Sequence, residues 1–370
     1  MITQLPVTIS VIVPVFNGTA TVRQCLEALA ESRVPAAQWL FVDDGSTDGS
    51  AALAQTMGAS VLSTCGRFGP ARARNLGALH ASGDVLLFID ADVAIHADVV
   101  ERVRENFQSD ADLDALIGSY DDAPSGPGFV SQFKNLLHAF IHREGNSRAS
   151  TFWCGCGAIR RSVFLDHGGL DESYRSASVE DIELGLRLLR AGCKVVLDPG
   201  IQCKHLKTWK LWSMIHTDVV ARGIPWTELI LRTRIFPDDL NLRWSQRISA
   251  ILSGLLVLLV ILEAASLGGD AFLPAWQVGA GFAAATVLIY LLNRKFYRFL
   301  TWRKGGRFAF GAFWLHILYF LYSFLSFVLG AALYFLRTVV PERAKSAPIH
   351  ALPRPERIGA EPLADVSKGR

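Results

Sequence analysis

The chain has 370 residues, 51% hydrophobic and 19% charged, with a mean hydropathy of +0.28. That is too apolar for an ordinary soluble domain and too ordered in composition for a disordered chain. Split after Gln246, the net charge of +3 resolves into 23 Lys/Arg against 28 Asp/Glu, then 14 against 6. An acidic globular part therefore precedes a basic, apolar part, which excludes a nucleic-acid binder with a basic face and a secreted disulfide scaffold.

In chain order, residues 8–15 (TISVIVPV) read as a buried strand and 19–31 as a helix. Residues 39–42 form a second strand and 48–57 a second helix, with Ser46 or Asp48 as its cap. A third strand, 59–62, and a third helix, 71–81, lead to a fourth strand, 85–89, which ends in Asp90-Ala91-Asp92. Strands separated by helices predict an α/β fold with a mostly parallel sheet and right-handed crossovers. Such sheets bind ligands beyond the carboxyl ends of their strands. No G-x-G-x-x-G follows the first strand and no G-x-x-x-x-G-K-[ST] occurs, which disfavours a dinucleotide oxidoreductase or a P-loop ATPase.

Beyond Arg247 the pattern changes. Residues 248–267, 272–292 and 308–330 (within an apolar run reaching 336) are each long enough to cross a bilayer. Gly268-Gly269-Asp270 reads as a turn between the first two, and Glu263 as an acid near the outer interface. The loop between the first two spans has no Lys or Arg. The next one carries Arg294, Lys295, Arg298, Arg303, Lys304 and Arg307 among aromatic residues, as suits the headgroup level. The positive-inside rule puts that loop in the cytoplasm, on the side of the globular part. Three spans would leave the polar, basic tail 337–370, expected to be disordered, on the other side despite its seven Lys/Arg. The first residues lack the basic start and apolar core of a secretory signal, so the six cysteines are expected to be reduced. The expected location is the inner membrane, with the globular part cytoplasmic.

The strand ends carry Pro14-Val15-Phe16-Asn17, then Asp43-Asp44-Gly45-Ser46, then Asp90-Ala91-Asp92. Each alone reads as a turn or cap. Asp90 and Asp92, spaced i, i+2, point to one side, and two close carboxylates favour a hard divalent cation shared with substrate phosphates. The segments VIVPVFNG (11–18), FVDDGSTDGS (41–50), GPARARNLGALHASGDVLLFIDAD (69–92) and SVEDIELGLRLLRAGCKVVLDP (178–199) together resemble the family 2 glycosyltransferases, over roughly the first 210 residues.

The resemblance implies the GT-A nucleotide-sugar-binding fold for residues 1–208. It implies that Pro14, Phe16 and Asn17 line a nucleoside pocket, and that Asp44, with Asp43, accepts hydrogen bonds from base and ribose. Arg72 or Arg74, with Asn75, would border the nucleotide. Asp92 would bridge a divalent metal, Mg²⁺ or Mn²⁺, to the donor diphosphate, with Asp90 near the ribose or sugar. His205 matches a histidine that completes the metal site in many such enzymes. Asp181 matches the general base, supported by Glu180; an inverting transfer to a hydroxyl needs such a group. Gly18 stands where the family often has an acid. Trp153, Gly155 and Gly157 fall on the strand and tight loop facing the acceptor. A rival reading groups Cys154, Cys156, Cys203 and His205 as zinc ligands, at spacings tighter than usual.

Residues 209–246, with Trp209, Trp212 and Trp226 among basic residues, read as amphipathic helices in the interface or, alternatively, as a cover for the sheet. Processive synthases of the family carry Q-x-x-R-W here; this chain has Arg222-Gly223-Ile224-Pro225-Trp226. The expected function is therefore a membrane-anchored, metal-assisted inverting transferase. It would move a sugar from a nucleotide-diphosphate donor to a hydroxyl of a lipid or lipid-linked acceptor in glycolipid or envelope-polysaccharide synthesis. The alternatives are a processive synthase, a polyprenyl-phosphate glycosyltransferase and an inactive nucleotide-sugar-binding scaffold.

Overall fold

The structure, a computed structural model, describes residues 6–266 and 274–339. The chain opens β1 (Ile9–Val15), α1 (Thr19–Ala30), β2 (Gln38–Asp43), α2 (Ser50–Thr56), β3 (Ser60–Ser63), α3 (Pro70–His80) and β4 (Val85–Ile89). It continues β5 (Val93–Ile95), α4 (Val99–Ser109), β6 (Ala115–Tyr120), α5 (Phe129–Arg143), β7 (Cys156–Arg160) and α6 (Arg161–Asp166). Then come α7 (Glu180–Arg190), β8 (Val195–His205), α8 (Leu211–His216), a π-helix (Thr217–Gly223) and α9 (Ile224–Thr233). The last helices are α10 (Trp244–Ser266), α11 (Ala275–Leu292), α12 (Arg294–Lys304) and α13 (Gly306–Val339).

The eight strands form one sheet in the order β3-β2-β1-β4-β7-β6-β8-β5. The first four strands pair in parallel, as the alternation of strands and helices predicts. The second half is mixed: β7 runs antiparallel to β4 and β6, and β8 lies parallel to β6 but antiparallel to β5. Every residue of β1 is buried, because helices cover both faces and leave no room for polar alternation. Two apolar clusters lie on the two faces, one built on Val11, Phe41 and Leu87, the other on Ile12, Leu86, Phe88 and Phe152.

Neither Ser46 nor Asp48 caps α2. Gly49, at φ +84°, holds the cap position. Asp48 instead accepts from Ser50 N at 3.0 Å and from Thr19 N at 2.9 Å, so its carboxylate ties the start of α2 to the start of α1. In α7, Gly185 is required by contact: a Cβ there would lie 2.2 Å from Phe152 N. That approach presses the N-terminal turn of α7, with Glu180 and Asp181, against the strand-entry loop 151–155.

Among the described residues, three helices are long and apolar enough to cross a membrane: Trp244–Ala264, Ala275–Leu292 and Gly306–Thr338. The turn expected at 268–270 lies outside the described residues, as do the first two residues of the expected second span and all but the first three of the tail. Those three, Arg337–Val339, continue α13. The basic stretch after the second span is helical. α12 buries Phe296, Tyr297 and Leu300 against α5 and α13, and leaves Trp302 70% exposed. Of the tryptophans expected at the interface, Trp212 is 75% exposed, whereas Trp209 is buried and Trp226 lines a cavity. α9 and the π-helix pack on α13 through Gly223 against Ser326 and Gly330 against Thr227.

Candidate active site

A cavity of about 940 Å³ opens beyond the ends of β1 and β4, walled by the sheet, α5, α7, the π-helix and α9. Pro14, Phe16 and Asn17 line one part of it, Arg74, Asp90 and Asp92 the middle, and Trp153, Glu180, Asp181 and His205 the far wall.

The carboxylates are bound into a network. Arg74, 5% exposed on α3, donates to Asp90 Oδ1 at 2.6 Å and to Glu180 Oε1 at 3.0 Å. One guanidinium thus joins the strand-end acid to the first turn of α7. The second oxygen of Glu180 accepts from Ser178 N at 2.8 Å. Among the described residues, Asp181 has only backbone donors, Cys154 N at 3.2 Å and Ile182 N at 2.8 Å. Burial, then the neighbouring Glu180 charge, push the Asp181 carboxyl up to about 7, against the pull of Arg74. A carboxylate with that proton affinity is matched to taking a proton near neutral pH.

Asp92 faces His205, with Oδ2 3.6 Å from Nε2. The tautomer of His205 follows from its other side. Asn135 Oδ1 accepts from Trp209 Nε1 at 3.2 Å, and Asn135 Nδ2 donates to Lys207 O at 3.2 Å, so the amide orientation is fixed. His205 Nδ1, 2.8 Å from that same Oδ1, must be the N–H donor. Nε2 then turns its lone pair or a second proton towards Asp92. A bare lone pair facing a carboxylate is unfavourable unless a cation sits between them. A cation between Asp92 and His205 would use Nε2 as a ligand, with Asn135 as the outer partner that orients the ring. Burial raises the Asp92 carboxyl, but the His205 ring and then Lys207 pull harder, and it lies below the usual range.

Several expected residues have protein partners of their own. Asp90 is committed to Arg74 and does not complete a triad with Asp92 and His205. Among the described residues, no three His, Cys, Asp or Glu side chains gather to hold a metal by themselves. That also removes the zinc grouping of Cys154, Cys156, Cys203 and His205. Asp44 is 4% exposed and accepts from Thr64 Oγ1, Phe68 N and Gly69 N, fixing the loop before α3. Asp43 accepts from Ser46 N. Arg72 lies over the Phe68 ring at 4.1 Å. Asn75 exchanges two hydrogen bonds with the backbone of Leu170. Gly155 and Gly157 make room for Trp153: a Cβ at Gly155 would lie 2.5 Å from its indole, and one at Gly157 2.1 Å from its carbonyl oxygen.

Residues 10–168 match the family model described as Glycosyl transferase family 2. The chain carries a family 2 glycosyltransferase domain. Glycosyltransferase GlyG of Streptococcus pneumoniae serotype 4 is 31% identical over 117 residues, 30% of this chain and 38% of that protein. An undecaprenyl-phosphate 4-deoxy-4-formamido-L-arabinose transferase of Sodalis glossinidius is 25% identical over 42% of this chain and 49% of its own length. A pre-mycofactocin glycosyltransferase of Mycobacterium tuberculosis is 27% identical over 53% of this chain and 42% of its own. The chain spans less than half the length of each of these relatives. Among solved structures, GalNAc-T7 with UDP, GalNAc and Mn²⁺ aligns at TM-score 0.48 and 18% identity, over 62% of this chain and 48% of that one. The mannosyltransferase PcManGT from Pyrobaculum calidifontis, with GDP-Man and Mn²⁺, aligns at 0.46 and 16%, over 91% and 88%.

The matched family 2 segment ends at 168, so Glu180, Asp181, His205, Arg222 and Trp226 on the cavity wall lie beyond it. Within the matched segment, sequence reasoning missed Tyr120, His138 and His142 on the wall and Asn135 behind His205. The signal was available: Ser131, Lys134, Asn135, His138 and His142 recur at helical spacing, and the first four are buried on α5.

Proposed function

We propose that this chain is a membrane-anchored inverting glycosyltransferase, moving a sugar from a nucleotide-diphosphate donor to a hydroxyl of a lipid or lipid-linked acceptor. The observation that carries the reading is the meeting, in one cavity, of a carboxylate poised near neutrality with the Asp92–His205 pair and the Arg74-bound Asp90. In this reading Asp181 takes the acceptor proton as the hydroxyl oxygen attacks the anomeric carbon. The bond from that carbon to the diphosphate breaks, and the nucleoside diphosphate leaves with the electron pair. Pro14, Phe16 and Asn17 hold the nucleoside side, with Asp43 and Asp44 fixing the loops around it.

Asp92 and His205 fit a divalent metal as two protein ligands, leaving other positions for phosphate oxygens. Such a metal, Mg²⁺ or Mn²⁺, supplies charge stabilisation to the departing diphosphate. The three apolar helices support membrane association, and the loop charges favour the cytoplasmic face of an inner membrane.

A second reading is transfer to a polyprenyl phosphate, whose ionised oxygen needs no base. Arg222 and Lys207 favour it, since both line the cavity and neither forms an ion pair among the described residues. One experiment separates the two: nucleoside-diphosphate release by the membrane-embedded chain over a panel of nucleotide sugars, with lipid acceptors, with and without Mn²⁺, beside Asp181→Asn. Metal- and lipid-dependent release lost in Asp181→Asn supports the hydroxyl reading. Release undiminished in Asp181→Asn with polyprenyl phosphate overturns it in favour of the second. No release with any donor overturns both.

A further inference from the structure

α13 is long enough to cross a bilayer, yet it is fastened to the globular part along almost its whole length. Near its start, Phe308 packs edge-on against Phe129 of α5 at 5.0 Å, and Gly311 lies against the same ring. Two turns on, His316 meets Phe133 at 5.9 Å. The Lys134 ammonium then lies 5.3 Å from the centre of the Tyr319 ring, and Tyr322 Oη donates to Asp218 at 2.7 Å. Ser326 lies against Gly223, Gly330 against Thr227, and Arg337 Nη1 donates to Glu228 Oε1 at 2.8 Å. At 1.5 Å per residue the helix rises roughly 44 Å from Phe308 to Arg337, more than the hydrocarbon core of about 30 Å.

If α13 crossed the bilayer, the elements docked along it would have to enter too. α5 has 15 residues and α9 has 10, where about 20 are needed to cross. Entry would also carry Lys134, Asp218, Arg222 and Glu228 to membrane depth, where ionisable groups are costly. The two faces of α13 suit a helix lying flat. Tyr319, Tyr322, Ser323 and Ser326, at i, i+3, i+4 and i+7, share the face that carries the Asp218 and Gly223 contacts. Phe310, Trp314, Leu325, Val328, Phe335 and Leu336 are exposed, and no Asp, Glu, Lys or Arg occurs between Arg307 and Arg337. The globular part thus takes the side that water takes on an isolated interfacial helix. α10 and α11 meet α13 at its middle: Phe320 packs among Leu256, Ala285 and Ile289, and Phe324 lies against Gly254. Past that point α13 follows α9, while Leu259 of α10 reaches Gly281 of α11. Gln246 Nε2 donates to Asn293 Oδ1 at 3.1 Å, so α10 starts at the level where α11 ends.

We propose that α13 lies in the plane of the membrane surface, its exposed face seated in the acyl boundary of the bilayer, and that α10 and α11 are the crossing helices. Two crossings return the chain to the side of the globular part, and the segment beyond Val339 stays there. The seven Lys/Arg of residues 337–370 then share a side with the basic residues of α12, as the positive-inside rule asks and three crossings do not allow. A flat α13 also backs the π-helix and α9, which wall the cavity, and so holds the cavity at the bilayer surface. The proposal rests on the membrane reading of α10 and α11 and is independent of the transfer chemistry.

The test uses the full chain in membranes of expressing cells, prepared as sealed vesicles of each orientation and treated with a membrane-impermeant maleimide. Cys65, exposed on the globular part, marks its side in the wild type. Ala275→Cys and Thr338→Cys, each combined with Cys65→Ser and Cys193→Ser, report the start of α11 and the end of α13. Both replaced residues are exposed, and thermal unfolding checks that each variant folds. Thr338→Cys should react at least tenfold faster in the vesicles where Cys65 reacts, and Ala275→Cys in the opposite ones. Thr338→Cys reacting on the side of Ala275→Cys overturns the proposal. Ala275→Cys reacting on the side of Cys65 overturns the crossing pair itself, and with it the membrane-anchored reading. A second measurement places spin labels at Phe310→Cys, Trp314→Cys, Leu325→Cys and Leu336→Cys in the same background and reads depth from oxygen and nickel accessibility. A flat helix puts all four within about 10 Å of one depth, the reach of an interfacial helix into the bilayer. Depths spread over most of the roughly 30 Å core overturn the proposal.

Discussion

Replacing Arg74 by Met tests whether the carboxylate network is an electrostatic unit. The Arg74 side chain is 6% exposed, Glu180 is 4% exposed and Asp90 is 32% exposed. The Asp90 bond is therefore partly screened, and most of the cost comes from Glu180, left with its charge buried and one backbone donor from Ser178. Breaking a buried pair by removing one partner costs about 3–5 kcal/mol. At about 2–4 °C per kcal/mol for a domain of this size, unfolding should fall by roughly 10 °C. Differential scanning fluorimetry of the purified protein reads this directly. Adding Glu180→Gln to Arg74→Met removes the stranded charge and should restore at least half of the loss. A second readout is independent of stability. Arg74 pulls the Asp181 carboxyl down, so its removal should move the acidic limb of the activity profile to higher pH. An Arg74→Met protein that unfolds within about 1 kcal/mol of wild type, with an unmoved limb, would refute the network.

The remaining expectations concern the base, the metal pair and the membrane contact. On the proposed reading Asp181 serves as the base only when ionised, and burial and Glu180 raise its pKa to about 7. Activity should therefore be full above that pH and fall about tenfold per unit below it, while Asp181→Asn lowers kcat by roughly 10²–10⁴ without that limb. Asn135→Leu removes the acceptor that holds His205 Nδ1, and should weaken Mn²⁺ binding by about 10–100-fold in calorimetry. Lys134→Met strands Asp218, which Lys134 holds through both oxygens at 2.8 and 2.6 Å; thermal unfolding should show a loss of about 3–5 kcal/mol, and Lys134→Met with Asp218→Leu should be milder than Lys134→Met alone.

What could be read beforehand follows from how local each signal is. The parallel strands β1 to β4 and their helices are encoded in short buried runs and turn residues, so their positions emerge within a few residues. Asp90, Asp92 and Asp181 sit at strand ends or helix starts, where the local pattern marks them. Arg74 could be placed near the site but not given its partners, because Asp90 and Glu180 reach it from strand β4 and helix α7, 16 and 106 residues away. Asp44 looked like a free acceptor because three of its donors, Thr64, Phe68 and Gly69, lie on a loop some twenty residues on. The antiparallel partners of β5, β6 and β7 lie far along the chain. The spacing of residues 99–150 alone therefore does not announce a mixed sheet.

α5 shows why that region matters. Its buried polar face reaches three parts of the molecule: Lys134 joins Asp218 of the π-helix, Asn135 orients His205, and His138 and His142 support Tyr120. Asp218 also accepts from Tyr322 Oη at 2.7 Å, which brings the long apolar helix α13 into the same set of bonds. The opposite, apolar face of α5, with Phe133, Leu136, Leu137 and Ile141, packs on α12 and α13. A π-helix is uncommon and tends to mark functional segments, and here it carries Arg222 to the cavity wall while Gly223 lies against Ser326. The cavity is thus bounded by groups whose positions depend on how α13 sits. A displacement of α13 would have to be absorbed by the Lys134–Asp218–Tyr322 bonds or passed through α5 to the ring that faces Asp92. Because those bonds are buried and charge-assisted, breaking them costs more than a small shift of α5. The long apolar helix α13 is in this sense part of the cavity's framework.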